Sequence, residues 1–184
     1  LVVGVAIYGG NSGDELKLTD RDWNINKTIL SGDIGKADDG SDNSYHVVYG
    51  KGLSSATVLD GFTITSGNAS GDHDLGRGGG LLCDGAGQGN QCNPTLCNLI
   101  FCSNNASYGG AIWNYGDNSG TSSPILINVI FFGNKAKYQG GGMYNSGQSR
   151  GTSNPTLINV TFSGNTAGNF GGAISNNGTG GTSK

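Results

Sequence analysis

The stretch Leu126-Ile-Asn-Val-Ile-Phe-Phe-Gly-Asn134 decides the fold of this chain, because the sequence repeats it. A copy follows one period later as Leu157-Ile-Asn-Val-Thr-Phe-Ser-Gly-Asn165, and another precedes it at nearly the same distance as Leu96-Cys-Asn-Leu-Ile-Phe-Cys-Ser-Asn104. A more divergent copy is Leu59-Asp-Gly-Phe-Thr-Ile-Thr-Ser-Gly67. Self-similarity at a fixed period of this size is typical of repeat folds, in which each repeat is one structural unit.

A second motif recurs between these copies with the same period. It begins with a glycine, continues with mostly apolar residues and, in its last three copies, ends in asparagine. The four copies are Gly79-Gly-Leu-Leu, Gly110-Ala-Ile-Trp-Asn, Gly141-Gly-Met-Tyr-Asn and Gly172-Ala-Ile-Ser-Asn. Each unit therefore contains two short strands bounded by Gly and Asn, the residues that tolerate tight turns.

A unit of this size cannot bury its own apolar face, but stacked units can build a continuous core. In-register stacking would place Phe101, Phe131 and Phe162 in one column. The pattern predicts an all-β fold, a right-handed parallel β-helix (β-solenoid) of about five coils with a repeat of about 31 residues. We expect one domain over 1–184, with regular repeats over 56–184 and diverged coils with longer loops over 1–55.

The diverged N-terminal part offers three candidate strands. We assign Val3–Tyr8 and His46–Tyr49 to the glycine-led strand type and Thr28–Ser31 to the other type. The intervening polar segments, 11–27 and 32–44, are expected to be loop insertions.

Asn98, Asn128 and Asn159 occupy one position of the repeat. Stacked asparagines can hydrogen-bond along the stack, so we predict a structural ladder rather than independent outward-facing side chains. A second candidate row consists of Asn104, Asn134 and Asn165.

The composition excludes several classes of protein. The chain holds 36 glycines and three prolines, and the glycines do not recur at every third residue, which excludes collagen. The net charge is −3 with charged residues at 12%, and no basic stripe is present. We therefore expect no nucleic-acid partner and, since no apolar run is long enough, no insertion into a membrane.

Four cysteines, Cys83, Cys92, Cys97 and Cys102, lie in one short stretch of the chain. Their even number favours two disulfides and an oxidising compartment, with free thiols or a metal site as alternatives. We prefer the pairs Cys83–Cys92 and Cys97–Cys102, because each closes a short local loop.

Two acidic clusters are candidates for chemistry. Asp38, Asp39 and Asp42 could contribute oxygen ligands to calcium, although their loop lacks EF-hand spacing, and a solvated loop is the alternative. The segment 72–77, with two aspartates, a histidine and an arginine, lies in a glycine-rich loop and is expected to be solvated. No nucleophile or cofactor motif is visible, so we expect no catalytic residues, no cofactor and no enzyme.

The motifs resemble those of the bacterial right-handed parallel β-helix repeat family, in particular repeats of the polymorphic outer-membrane protein type. Such repeats carry Phe-x-x-Asn followed by Gly-Gly-Ala-Ile, found here as Phe101-Cys-Ser-Asn104 with Gly109–Ile112 and as Phe162-Ser-Gly-Asn165 with Gly171–Ile174. The middle copy departs from the pattern as Gly140-Gly-Gly-Met143. The resemblance implies an extracellular or bacterial cell-surface protein, and many such proteins are adhesins.

The first functional hypothesis is therefore an extracellular or cell-surface structural or adhesive β-solenoid. No polar caps are evident at its ends, so self-association through open solenoid ends could build a fibre. The alternative is a polysaccharide-binding or polysaccharide-degrading β-helix protein with glycan partners. Five aromatic residues could form a sugar-stacking strip, or could instead cover the core: Tyr108, Trp113, Tyr115, Tyr138 and Tyr144.

Overall fold

The computed structural model describes residues 1–37, 39–71 and 73–184, with the backbone alone described at 73 and 74. These residues form parallel strands and two short 3-10 helices, η1 (Leu18–Asp20) and η2 (His73–Gly76). The strands in chain order are β1 (Ala6–Tyr8), β2 (Thr28–Ser31), β3 (Val48–Lys51), β4 (Val58–Asp60), β5 (Phe62–Thr65), β6 (Asn68–Ala69), β7 (Leu81–Asp84), β8 (Thr95–Cys97), β9 (Ile100–Cys102), β10 (Asn105–Tyr108), β11 (Ile112–Tyr115), β12 (Ile125–Phe132), β13 (Lys135–Gln139), β14 (Met143–Ser146), β15 (Thr152–Ser153), β16 (Thr156–Ser163), β17 (Thr166–Ala167), β18 (Ile174–Asn177) and β19 (Thr182–Ser183).

The strands build three parallel sheets, which are the side faces of a β-solenoid of about five coils. Face 1 contains β1, β2, β4, β5, β8, β9, β12 and β16; face 2 contains β6, β10, β13 and β17; face 3 contains β3, β7, β11, β14 and β18. A short fourth pairing joins β15 to β19. The predicted all-β parallel β-helix is confirmed, but the prediction of two strands in each unit is wrong, because face 2 adds a third strand to each regular coil.

The register follows the sequence repeat. On face 1, Phe131 pairs with Phe101 on one side and Phe162 on the other. On face 3, Met143 pairs with both Ile112 and Ile174. Equivalent residues of successive repeats thus lie side by side, at the strand spacing of about 4.8 Å.

The core consists of columns that run through the coils. The rings of Phe101 and Phe131 stack with centroids 5.2 Å apart, and those of Phe131 and Phe162 are 4.5 Å apart, both pairs at an interplanar angle of 6°. Phe101 and Phe131 are fully buried, and Phe162 packs against them from the last coil. The predicted phenylalanine column is therefore confirmed.

One glycine position per coil has a conformational requirement that explains part of the glycine excess. Gly109 and Gly140, which precede β11 and β14, have φ of +62° and +68°, a region that other residues rarely adopt. A Cβ at Gly109 would also approach the Ile112 carbonyl oxygen to 2.3 Å, and one at Gly140 would approach the Met143 oxygen to 2.4 Å.

The first coil differs from the expectation at one strand. The sequence assigns Val3–Tyr8 to the glycine-led type, but β1 pairs with β4 on face 1. Since β2 pairs with β5 on the same face, β1 and β2 are two halves of one strand position. They are interrupted by the insertion 9–27, as β4 and β5 are interrupted at Gly61. The other two assignments are confirmed, with β3 on face 3 and β2 on face 1.

Candidate functional site

An asparagine ladder runs along the outside of face 1. Asn128 donates from Nδ2 to Asn98 Oδ1 at 3.1 Å, and Asn159 donates from Nδ2 to Asn128 Oδ1 at 2.8 Å. All three residues have φ between 51° and 55°, the left-handed region that asparagine tolerates better than most residues. The predicted ladder is confirmed, and the asparagine at each rung also accommodates a bend in its strand.

The ladder ends on a carboxylate that is held by an arginine. Asn98 Nδ2 donates to Asp60 Oδ1 at 2.8 Å, and Arg21 Nη2 donates to Asp60 Oδ2 at 3.0 Å. The side chains of Arg21 and Asp60 are 5% and 13% exposed. Arg21 also donates to the carbonyl oxygens of Gly9 and Leu18, so its side chain links the insertion 9–27 to face 1.

Two aromatic rings flank this arginine. The guanidinium carbon of Arg21 lies 4.8 Å from the centroid of the Tyr8 ring and 5.5 Å from that of the Trp23 ring. Such cation–π contacts orient both the cation and the rings. The insertion thereby places a half-buried tryptophan beside the start of the ladder.

Two hollows adjoin here, and they share Trp23 and Asn98. The first has a volume of about 440 Å³ and the second of about 240 Å³. Together they form a groove, which we call the ladder groove. Its lining residues are Tyr8, Leu18, Thr19, Arg21, Trp23, Asn24, Asp60, Asn98, Asn128, Ile130, Asn159 and Thr161.

The groove could not be found from the sequence. Arg21 and Trp23 are far from the ladder asparagines along the chain and lie outside the repeat, and Asp60, which lies in the divergent copy, has no aspartate at the equivalent position of the later copies. A signal existed only for the asparagines, because they recur with the period of the coils. Residues in an insertion that is not repeated, such as Arg21 and Trp23, show no periodic pattern in the sequence.

A second ladder lies inside the solenoid. Asn104 Nδ2 donates to Asn134 Oδ1 at 3.0 Å, and Asn134 Nδ2 donates to Asn165 Oδ1 at 2.9 Å. Asn134 also donates to the Phe101 carbonyl oxygen and accepts from the Asn104 backbone N–H. Asn134 is fully buried, so these bonds satisfy backbone groups at a turn that water does not reach.

A third ladder, which we did not predict, lies on face 3. Asn114 Nδ2 donates to Asn145 Oδ1, and Asn145 Nδ2 donates to Asn176 Oδ1, both at 2.8 Å. These asparagines end the glycine-led motif in three successive copies, so the sequence did contain the signal.

The cysteines form one disulfide instead of two. Cys83 and Cys92 are bonded and fully buried, with their Cα atoms 5.5 Å apart. The preferred pair Cys97–Cys102 is wrong, because both are free thiols.

The strand register gives the reason for the free thiols. Cys97 and Cys102 pair with Ile127 and Phe132, which lie at separate positions along the single strand β12. A strand segment of five residues spans roughly 15 Å, which is well beyond the Cα separation that a disulfide bridges. Burial, with a smaller effect of the nearby Asp60 carboxylate, raises the pKa of the Cys97 thiol.

The five aromatic residues proposed as a sugar-stacking strip pack against one another where faces 2 and 3 meet, with Tyr108 and Tyr138 on face 2 and the other three on face 3. The Trp113 and Tyr144 ring centroids are 4.5 Å apart, and the two residues are only 4% and 3% exposed. Tyr108 makes edge contacts with both rings, and Arg77 lies 4.6 Å from the Trp113 ring. Trp113 and Tyr144 therefore have no free ring face to offer, whereas Tyr108 and Tyr138 line a hollow of about 270 Å³.

The acidic candidates are engaged locally where they are described. Asp39 accepts from the Ser41 hydroxyl and backbone N–H, which lowers the pKa of its carboxyl. Asp42 accepts from the Lys36 backbone N–H at 2.8 Å. Asp38, like Asp72, lies outside the described residues, so calcium binding here stays a prediction. Among residues with described placement, no three His, Cys, Asp or Glu side chains group as a metal site would require.

No helix in the described part of the chain has the length and apolar character needed to cross a membrane.

Comparison with known protein families gives a match on the last coil. Residues 159–177, which run from within β16 to the end of β18, match the Chlamydia polymorphic membrane protein repeat. No curated protein and no solved structure matches the chain. The matched segment carries Phe162, Asn165 and Ile174, whose columns continue through the preceding coils. The last coil thus carries a repeat similar to the polymorphic-membrane-protein type, and the chain folds as a parallel β-helix.

Proposed function

We propose that this chain is part of a surface-exposed bacterial protein, in which the β-helix is a structural and adhesive module. The observation that carries the proposal is the match of residues 159–177 to a repeat named for membrane proteins of Chlamydia. The same columns and ladders extend through the preceding coils, so the matched segment is one unit of a larger solenoid. The proposal includes no catalytic step and requires no metal or cofactor.

The surface chemistry supports a role in contact rather than catalysis. Charged residues make up 12% of the chain, and the outer positions of the regular coils carry many Asn, Ser and Thr. Uncharged polar side chains on a rigid sheet keep the module soluble and offer many hydrogen-bonding groups at fixed spacing. Repeat proteins use such extended surfaces for binding.

Surface display is tested with antibodies raised against the folded chain. Intact cells of the producing organism should bind the antibody, and protease added outside should remove the signal while a cytoplasmic marker persists. Beads coated with the chain should adhere to host cells more than beads coated with a heat-unfolded sample. Labelling that requires cell lysis would contradict display, and equal adhesion of both bead types would contradict the adhesive role.

We further propose end-to-end association of copies, supported by both ends of the solenoid. Within the described chain, β16 pairs with β12 on one side only, and Leu157, whose column partners Leu96 and Leu126 are fully buried, is 36% exposed. At the other end, Ile7, which pairs with the buried Leu59, is 39% exposed. Parallel strand edges at opposite ends are complementary head to tail, a contact that builds filaments because it does not close.

Analytical ultracentrifugation over a range of concentrations tests the association. The chain should form oligomers, and Leu157→Lys should shift the distribution to monomer by placing a charge at the end of the leucine column. Phe132→Lys is the matched control, because Phe132 is 56% exposed on a side face. Monomers at every concentration, or equal disruption by both variants, would contradict end-to-end association and leave surface display untouched.

A further inference from the structure

The ladder groove contains amide groups whose hydrogen-bonding capacity is only half used. Asn128 donates one of its two Nδ2 hydrogens to Asn98 and accepts one hydrogen bond at Oδ1 from Asn159. A primary amide has two donor hydrogens and two acceptor lone pairs. Within the described chain, this rung therefore keeps one N–H and one lone pair for a ligand, and such a pair matches two neighbouring hydroxyls of a sugar.

The rungs are spaced for a ligand that repeats. Asn98, Asn128 and Asn159 lie in consecutive coils, and adjacent strands of a sheet are about 4.8 Å apart. This spacing is comparable to the advance of one sugar ring along an extended polysaccharide. A chain lying along the solenoid axis would present a similar pair of hydroxyls to successive rungs.

Aromatic rings supply the apolar part of the groove. Trp23 lines both hollows and is half-buried, so part of its ring is open to the groove. Tyr8 also lines the first hollow. Ligand sites combine such rings with a few fixed polar groups, and the apolar face of a pyranose ring packs well on an aromatic ring. Arg21 contacts both rings, which limits their movement before a ligand binds.

The charge of the groove decides between classes of glycan. Among its lining residues, Arg21 and Asp60 are charged, and they are paired with each other at 3.0 Å in a largely buried position. The remaining lining residues are Asn, Thr, aromatic or aliphatic. A uronate or a sulfated sugar would bring a charge that the groove does not neutralise, and its desolvation would weaken binding.

We propose that the ladder groove binds an extended, uncharged polysaccharide, with Trp23 as the stacking platform and the ladder asparagines as hydroxyl ligands. This inference rests on the proposed adhesive function and names the chemical class that the module would adhere to. The groove lies on face 1, and it is distinct from the aromatic cluster of faces 2 and 3.

The two tryptophans of the chain provide an internal control for the test. Each has one indole N–H signal in a proton–nitrogen NMR spectrum, and Trp23→Phe assigns them. The probes are cellohexaose, xylohexaose, mannohexaose and maltohexaose, with hexagalacturonate as the charged comparison. At least one uncharged hexasaccharide should shift the Trp23 signal in a saturable manner and leave the Trp113 signal unchanged.

Variants then test the assigned roles by titration calorimetry. Trp23→Ala should weaken binding by roughly tenfold or more, since a buried aromatic anchor dominates such sites. Asn128→Gly keeps the left-handed backbone and should weaken binding by about threefold to tenfold through loss of the amide hydrogen bonds. Tyr138→Ala, which lies outside the groove, is the matched control and should bind as the unmodified chain does.

The outcomes separate this inference from the proposed function. The inference is overturned if no uncharged probe shifts Trp23 at millimolar concentration, if hexagalacturonate binds more tightly, or if Tyr138→Ala weakens binding as much as Trp23→Ala. In each case, antibody labelling of intact cells can still succeed. Conversely, if intact cells are not labelled but the purified chain still binds the glycan, the result would contradict surface display and support the binding site in the ladder groove.

Discussion

Cys83 pairs in register with Asn114, so the disulfide occupies the position of the face-3 asparagine ladder in the coil before it. In the next coil, Ser122, which follows the Thr121 that is bridged to Gln91, corresponds to Cys92. Ser122 donates from its hydroxyl to the Cys83 carbonyl oxygen, and Ser153 and Ser183 donate in the same way to the Asn114 and Asn145 carbonyl oxygens. The disulfide therefore links two positions of one coil covalently, whereas the serines at the position of Cys92 join each later coil to the coil before it by a hydrogen bond.

Removal of the disulfide is predicted to destabilise the chain by about 2–3 kcal/mol, as expected for a loop of this length. The test is the urea midpoint of Cys83→Ala/Cys92→Ala against the oxidised parent. Cys97→Ser/Cys102→Ser is the control, since these thiols are free, and its midpoint should not move. An unchanged midpoint in the first variant would show that the disulfide does not limit the stability of the coil.

A designed replacement should recover part of this loss. Cys83→Asn/Cys92→Ser reproduces the asparagine and serine of the next coil, and its new amide would donate to Asn114 Oδ1, which is buried without a partner in the described residues. We expect about 1–2 kcal/mol more stability than in the double alanine variant. Equal midpoints of the two variants would mean that the ladder position does not accept a fourth amide.

The buried and exposed ladders should differ in their energetic roles. Asn134→Ala leaves the Phe101 carbonyl and Asn104 groups without their bonds inside the solenoid, so we predict a loss of about 3 kcal/mol or more. Asn128→Gly, in the exposed ladder, should cost less than about 1 kcal/mol, because water replaces the lost bonds. Chemical denaturation of both variants measures their free energies of unfolding. Similar losses of stability in the two variants would contradict the different roles of the buried and exposed ladders.

Neighbouring phenylalanines provide a test of the core. Phe131→Ala removes a fully buried ring from the column and should cost about 3–5 kcal/mol. Phe132, the next residue, is 56% exposed, and Phe132→Ala should stay within about 0.5 kcal/mol of the parent. Thermal unfolding followed by circular dichroism distinguishes the two variants. A larger loss of stability in Phe132→Ala than in Phe131→Ala would show that the core lies on the other side of this strand.

The thiol of Cys97 should react slowly in the folded chain. Burial and the Asp60 carboxylate raise its pKa, so the thiolate fraction at mildly alkaline pH is lower than in the unfolded chain. A raised folded pKa contributes stability that is fully present below the unfolded pKa and is lost as the pH rises through the folded pKa. Alkylation by iodoacetamide, with mass spectrometry of the Cys97 peptide, should be faster in urea than in buffer; equal rates would contradict the raised pKa.

The periodic features of this chain could be predicted from the sequence, and the unique ones could not. The phenylalanine column and the Asn98, Asn128 and Asn159 ladder follow from a fixed repeat, because equal spacing in sequence becomes adjacency in a solenoid. The position of β1 on face 1 and the unbonded thiol of Cys97 depend on where a strand is interrupted. The identity of single residues does not show where such an interruption occurs. The ladder groove depends on Trp23, whose insertion has no second copy.

The stacking of parallel coils, on which the ladders and the groove depend, is tested by NMR detection of couplings across hydrogen bonds between the face-3 coils. The backbone N–H groups of Leu81, Ile112 and Met143 should correlate with the carbonyls of Ala111, Gly142 and Ala173, at N–O distances of 2.8–3.0 Å. All three correlations, each linking one repeat to the next, are the predicted result. Correlations of these N–H groups with residues of their own repeat, as in antiparallel hairpins, would contradict the stacked parallel coils.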